Sequence, residues 1–248
     1  MDMTSVKNIR IPRLPKAYQE VEYLETHAQG YIDSGYAFTE PELKIEFKYM
    51  KDESLNNNPF GVDTSSTVGA GRMMHGHIFA LNVYCGNGGR PISFEEGKQV
   101  IGKIYEGSVE IVGTVADEQR MILTMNGDSQ TFLNSQTNFF AGCPMTDYVL
   151  ATRYDAAGKA DYLFKGRFYY LRFFDHTGTM VRSFIPCYRK SDGEVGLYDF
   201  CGSICPQTGT PFYVNLGENT FSKGADVVGG YVKRIRRNGA VIWQEREE

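Results

Sequence analysis

The sequence predicts an all-β protein: a two-sheet antiparallel jelly-roll sandwich with an extended N-terminal arm and a small C-terminal β-hairpin. Short runs rich in aromatic and β-branched residues recur along the 248-residue chain, and such residues suit a pleated, half-buried surface. Glycine- and asparagine-bearing turns separate the runs. Helical periodicity is nearly absent, SFEEGKQVIG (93 to 102) being the one stretch with any helical character. The length exceeds an immunoglobulin-sized module and suits one large two-sheet domain. With 42% hydrophobic residues, 16 Phe and 16 Tyr, the chain can bury a sizeable core.

Taken in order, residues 1 to 14 form the arm, because Pro12 and Pro15 hold themselves and their predecessors extended. EVEYLE (20 to 25) reads as a half-buried first strand, with Val21, Tyr23 and the later Tyr31 toward the core and Glu20 and Glu22 toward solvent. LKIEFKYM (43 to 50) alternates Leu43, Ile45, Phe47 and Tyr49 against Lys44, Glu46 and Lys48, a period-two pattern. HIFALNVYC (77 to 85) and SVEIVGTV (108 to 115) are β-branched and aromatic, and a glycine-rich stretch at 86 to 89 closes the first.

In MILTMNGDSQTF (121 to 132), Asn126-Gly127 stands between two extended arms. Asn-Gly readily takes the positive φ angles of a two-residue hairpin turn. FYYLRFFD and TMVRSFIPC pair around His176-Thr177-Gly178, and the first arm is apolar on both sides, as a central strand would be. Residues 222 to 229 look like a joint, followed by a hairpin that turns at Asn238-Gly239 and holds the only tryptophan, Trp243. The expected divisions are therefore an arm at 1–14, a jelly roll at 15–224 and a hairpin or attachment segment at 225–248.

A net charge of −4 offers no basic field for a phosphate backbone, so no nucleic-acid partner is expected. Both ends are nevertheless basic: Lys7, Arg10, Arg13 and Lys16 at one, Lys233, Arg234, Arg236 and Arg237 at the other. Such ends suit docking on an acidic partner or plain solvation. Cys85, Cys143, Cys187, Cys201 and Cys205 form no regular framework and are expected to be reduced. Cys201 and Cys205 lack the second pair or the histidines of a zinc site. No apolar run is long enough to span a bilayer, and MDMTSVKNIR lacks the apolar centre of a signal peptide. Membrane insertion is not expected, and synthesis in a cytoplasm is.

The acidic cluster Glu20, Glu22 and Glu25 is the sharpest chemical candidate. Glycoside hydrolysis needs two carboxyl groups flanking a sugar bond, and jelly-roll glucanases carry them as Glu-x-Asp-x-Glu. In a regular strand, residues five apart face opposite ways, so Glu20 and Glu25 could meet only across a β-bulge. A plain strand with a polar edge is the simpler reading. His75 and His77 could face one way, but nothing nearby completes a metal site. Residues 191 to 199 (SDGEVGLYD) lack the acidic density of a calcium loop and read as a turn. No G-x-S-x-G marks a nucleophile, and 86 to 89 is not followed by the Lys-Ser of a phosphate loop. No catalytic, metal or cofactor residue is therefore assigned. Tyr84, Arg90 and Tyr154 lie near expected loops, where a core or rim role is the plain reading and sugar contact the functional one.

YQEVEYLETHAQGYIDSGYAF (18 to 38) resembles the opening strands of a LamG-like, concanavalin A-like jelly-roll family of phage structural proteins and gut-bacterial surface proteins. FKGRFYYLRFFDHTGTMVRSFIPCYRKSDGEVGLYDF (164 to 200) is similar to its closing strands, and FYVNLGENTFSKG (212 to 224) to its last turn and strand. Thr26-His27-Ala28 departs from the family's Ser-Thr-Gly, and CGSICPQTGTP (201 to 211) looks like an insertion. VKRIRRNGAVIW (232 to 243) is similar to hairpins that end phage tail and baseplate proteins. The resemblance implies a non-catalytic virion protein, a tail or decoration component, that displays a lectin-like domain toward host-surface glycans. Its partners would be other virion proteins, copies of itself and cell-surface glycans. The alternatives are a purely architectural virion protein or a secreted bacterial carbohydrate-binding protein.

Overall fold

The computed structural model describes residues 14 to 52, 57 to 63, 100 to 133 and 140 to 227, and five further strands by their backbone. In chain order the strands are β1 (Tyr18–Glu20), β2 (Leu24–His27), β3 (Ile32–Asp33), β4 (Leu43–Lys51), β5 (Phe60–Asp63), β6 (Arg72–His75) and β7 (Leu81–Cys85). Next come β8 (Ile92–Phe94), β9 (Ile104–Val112), β10 (Arg120–Met125), β11 (Asp128–Leu133), β12 (Tyr148–Val149), β13 (Thr152–Arg153) and β14 (Ala160–Asp161). The last are β15 (Lys165–Phe174), β16 (Met180–Arg189), β17 (Val195–Asp199), β18 (Phe212–Tyr213), β19 (Ser222–Lys223), β20 (Arg234–Arg237) and β21 (Ala240–Gln244). No helix occurs among the described residues. Ser93 and Phe94, where helical character was expected, lie in β8; residues 95 to 99 fall outside the described residues.

The large sheet has 11 strands and runs β11-β10-β9-β4-β15-β16-β17-β18, with β1 joined to β16, β2 to β15 and β19 to β2. The smaller, 8-stranded sheet runs β14-β13-β5-β6-β7-β8 and takes in β12 and β3. All pairings are antiparallel except that of β13 with β5. The fold is thus an antiparallel jelly-roll sandwich. Its core forms where inward side chains of the two sheets meet: Phe47 of β4 reaches Phe60 of β5 at a ring separation of 5.7 Å, and Tyr49 meets Phe164 edge-on at 5.8 Å. Aromatic pairs at this spacing add to the area they bury.

Local chemistry explains the hairpins. Asn126 (φ 50°) and Gly127 (φ 96°) turn β10 into β11 as Asn-Gly predicts. Gly142 (φ 98°) is required for a second reason, since a Cβ there would stand 2.2 Å from the Thr39 carbonyl oxygen. The hairpin β20–β21 pairs as expected at the C-terminal end. Its turn, the arm over 1–13, residues 77 to 80 and residues 86 to 91 lie outside the described residues.

Two features differ from the simple strand pattern, and both are slips of phase. β15 and β16 pair over Leu171 to Phe174 and then part. The space between them is filled by β2 against β15, β1 against β16, and β19 against β2. To cross from one partner to the other, the chain breaks at Glu22-Tyr23, so Val21 and Leu24 are both buried although three residues apart. The expected inward placement of Tyr23 is therefore corrected: Leu24 takes the core position and Tyr23 turns outward. Tyr31 is also outward, opposite in phase to buried Ile32, and stacks on Tyr148 at 4.9 Å. The second slip lies in β15, whose register with β4 jumps between Phe168 and Tyr170. This bulge leaves Phe168 and Leu171 in the core and sends both Tyr169 and Tyr170 outward. Residues 222 to 227, which look like a joint in sequence, are hydrogen-bonded along β2 and β1.

Candidate functional site

The two slips face each other. β2 and β15 are paired through Phe168–Leu24, so the extra residue each strand carries next, Tyr169 and Tyr23, emerges beside the other. Their rings meet edge-on with centroids 5.8 Å apart. Bulges re-aim side chains, and they concentrate at functional positions. Here they turn Tyr23 outward and set both Tyr169 and Tyr170 on the outer face of the large sheet, where unbroken alternation would send one of those two inward.

Charged groups surround these rings and fix them. The Arg167 guanidinium lies 4.5 Å from the Tyr23 ring centre and faces Glu25, Nε to Oε1, at 3.5 Å. Lys48 Nζ lies 5.7 Å from the Tyr169 ring centre and pairs with Glu106 at 3.0 Å. Tyr170 donates its hydroxyl to Glu106 Oε1 at 3.1 Å, and Arg172 covers the Tyr170 ring at 4.6 Å while donating to Glu46 Oε2 at 3.2 Å. Lys44 completes the row, 2.8 Å from Glu46.

Electrostatics follow from these contacts. The hydrogen bond from Lys48 holds the Glu106 carboxyl below its usual range. Burial opposes ionisation of Glu46, but hydrogen bonds and charge from Lys44 and Arg172 outweigh it and lower its pKa. Burial pushes the Tyr169 hydroxyl up, against the opposing charge of Arg167. Burial and then the Glu106 charge do the same to Tyr170. The face thus combines flat apolar rings with immobilised donors and acceptors of both signs. Individually such exposed pairs are weak; as a network they hold the rings in one arrangement before any ligand arrives.

The acidic trio can now be placed. The break at Glu22-Tyr23 supplies the one-residue shift that a meeting of Glu20 and Glu25 requires, so alternation puts Glu20, Glu22 and Glu25 all on the outward side. Burial raises the Glu20 pKa. Their surroundings differ, however: Glu20 closes β1 opposite Cys187, whereas Glu25 sits in β2 opposite Arg167.

Of the other candidates, Tyr154 lies in the β13–β14 connection with Lys159 Nζ 5.0 Å from its ring centre. Tyr84 and His75 lie in β7 and β6, described by backbone alone, while Arg90 and His77 fall outside the described residues. In the 191–199 stretch, Asp192 accepts from Arg189 at 2.6 Å and caps a turn. Asp199 is fully buried and accepts from the Ser183 and Cys201 amides. Cys143, Cys187, Cys201 and Cys205 are free thiols. No cluster of three or more potential metal ligands occurs among the described residues.

No protein-family model matches the chain. The search of curated proteins likewise finds no match. Among solved structures, a Bacteroides ovatus protein described as a "putative carbohydrate binding protein" shares the fold with a TM-score of 0.51 at 13% identity, over 84% of this chain and 62% of that one. This chain thus spans about three fifths of that protein's length. A heptameric SAP-like pentraxin from Limulus polyphemus aligns with a TM-score of 0.44 at 14% identity, over 66% of this chain and 78% of its own. The first likeness shows the jelly-roll fold.

Proposed function

We propose that the chain is a non-catalytic adhesion module that holds surface glycans on the outer face of its large sheet, in the setting of a phage particle. The observation that carries the binding reading is the pair of opposed phase slips that bring Tyr23 and Tyr169 together outside the core, flanked by Arg167 and Lys48. Aromatic faces accept the apolar side of a sugar ring, and fixed charged groups satisfy its hydroxyls. The description of the Bacteroides ovatus protein agrees with this reading. The virion setting rests on the sequence resemblance alone, with residues 225–248 and the basic arm as the means of attachment.

A glycan array probed with the full-length protein tests the proposal. At least one class of glycan is expected to bind, and to be lost on Tyr169→Ala. A blank array would overturn it.

A second reading, glycoside hydrolysis by Glu20 and Glu25, is favoured by their shared side and by the raised Glu20 pKa, which is the direction a general acid needs. Against it stands Arg167, which engages Glu25 and would compete with substrate. Hydrolysis of soluble glucans that vanishes in Glu20→Gln would establish this reading instead.

A further inference from the structure

Sheet edges expose unpaired backbone N–H and C=O groups, and natural proteins shorten, charge or bulge their edge strands to prevent pairing with another chain. The ends of the two sheets of the sandwich differ in this respect. β18, β19, β14 and β3 have two residues each and β8 has three. β11 has six residues and pairs with β10 without a register shift. Asp128 to Thr131 are exposed, and Leu133 is 68% exposed. Beyond Asp128 the strand reads SQTFL, with no charge and no proline. Among the described residues, β11 has no bulge, no proline and no charge beyond Asp128 at its turn end.

We propose that a second copy of this chain pairs antiparallel along β11 and fuses the two large sheets into one. The turn fixes the register. In a two-residue hairpin the closing pair, Met125 and Asp128, exchanges both hydrogen bonds. The inward backbone groups are then those of Asp128, Gln130 and Phe132, and the outward ones those of Ser129, Thr131 and Leu133. A twofold axis through Thr131 sets Thr131 against the copy's Thr131 and Ser129 against the copy's Leu133, for roughly six new backbone bonds. Facing threonines are a favourable cross-strand pair, and Asp128 does not oppose its own copy.

Antiparallel strands are related by an axis perpendicular to the sheet, so both copies turn the same face to the same side. If that face binds glycans as proposed above, the dimer carries two Tyr23–Tyr169 platforms on one surface. Counting strands from β15 to β11 and out again, with about 4.8 Å per step, the platforms stand roughly 40 Å apart. Linked sites of this kind gain avidity from an array of ligands.

Sedimentation velocity on the full-length protein, across a range of micromolar concentrations and without any glycan, tests the dimer apart from its ligand. The wild type is expected to dimerise. Thr131→Pro removes an outward N–H and leaves the β10 bonds in place, so it is expected to sediment as a monomer that keeps the wild-type far-UV circular dichroism and a cooperative melt. Should the proline disturb folding, Thr131→Lys sets like charges face to face on the axis and is expected to give the same monomer. A wild type that stays monomeric, or a folded variant that dimerises as the wild type does, overturns the proposal.

Discussion

Tyr23 and Leu24 are chain neighbours for which plain alternation and the structure assign opposite faces. Leu24 is fully buried, and Leu24→Ala removes a core side chain and leaves a cavity, costing about 2–5 kcal/mol. Tyr23→Ala removes instead an edge-on contact with Tyr169 at 5.8 Å and the Arg167 guanidinium at 4.5 Å. The first is worth about 0.5–1.5 kcal/mol. The second adds about 0.5–1 kcal/mol at a half-exposed site. The leucine truncation should therefore cost roughly twice the tyrosine truncation. Urea unfolding of both variants measures this as midpoint shifts at a common slope. Equal costs, or a larger cost at Tyr23, would mean that the strand alternates without a break and that Tyr23 faces the core, removing the platform with it.

Two buried carboxylates give further expectations. Asp147 is fully buried with neither carboxylate oxygen hydrogen-bonded, and burial, then the Asp33 charge, raises its pKa well above the ordinary value. Because the folded pKa exceeds the unfolded one, the penalty is absent below the ordinary carboxylate range and grows as pH rises through it. Asp147→Asn should thus stabilise the protein at neutral pH, by on the order of 1–3 kcal/mol, with the gain fading as pH falls to about 3. Thermal melts over that range check it, and a loss of stability at neutral pH contradicts it. Asp199 is hydrogen-bonded where Asp147 is not: its Oδ1 accepts from the Ser183 amide at 2.7 Å and the Cys201 amide at 3.0 Å, with Arg182 3.9 Å from Oδ2. Asp199→Ala strands both amides and should cost about 2–4 kcal/mol, and Asp199→Asn, which keeps an acceptor, less. Denaturant titration that finds the two variants equal would show that these bonds contribute little.

Much of the fold is visible in local chemistry. The alternation of β4 and the Asn126-Gly127 turn are each set by a few residues. The proposed binding face is not, because it depends on two phase slips that tertiary pairing decides. Their trace is nevertheless present: Val21 and Leu24, like Phe168 and Leu171, are core residues spaced by three where a regular strand spaces them by two. In FYYLRFF the slip looks instead like a strand apolar on both sides, since an extra tyrosine and a core aromatic are alike in composition. Asp147 was hidden for a different reason: within a polar loop stretch, MTDY, nothing local marks an acid destined for full burial. Residues 222 to 227 resemble a joint because their pairing partners, β1 and β2, lie about two hundred residues earlier.

We propose that ligand is held on the outer face of the large sheet, at Tyr23 and Tyr169. Isothermal titration of an array-selected glycan into wild type, Tyr169→Ala and Tyr154→Ala tests it most directly. The expected result is a loss of about tenfold or more for Tyr169→Ala, equivalent to about 1.4 kcal/mol, with Tyr154→Ala binding as the wild type does. Wild-type affinity in a folded Tyr169→Ala protein would contradict it.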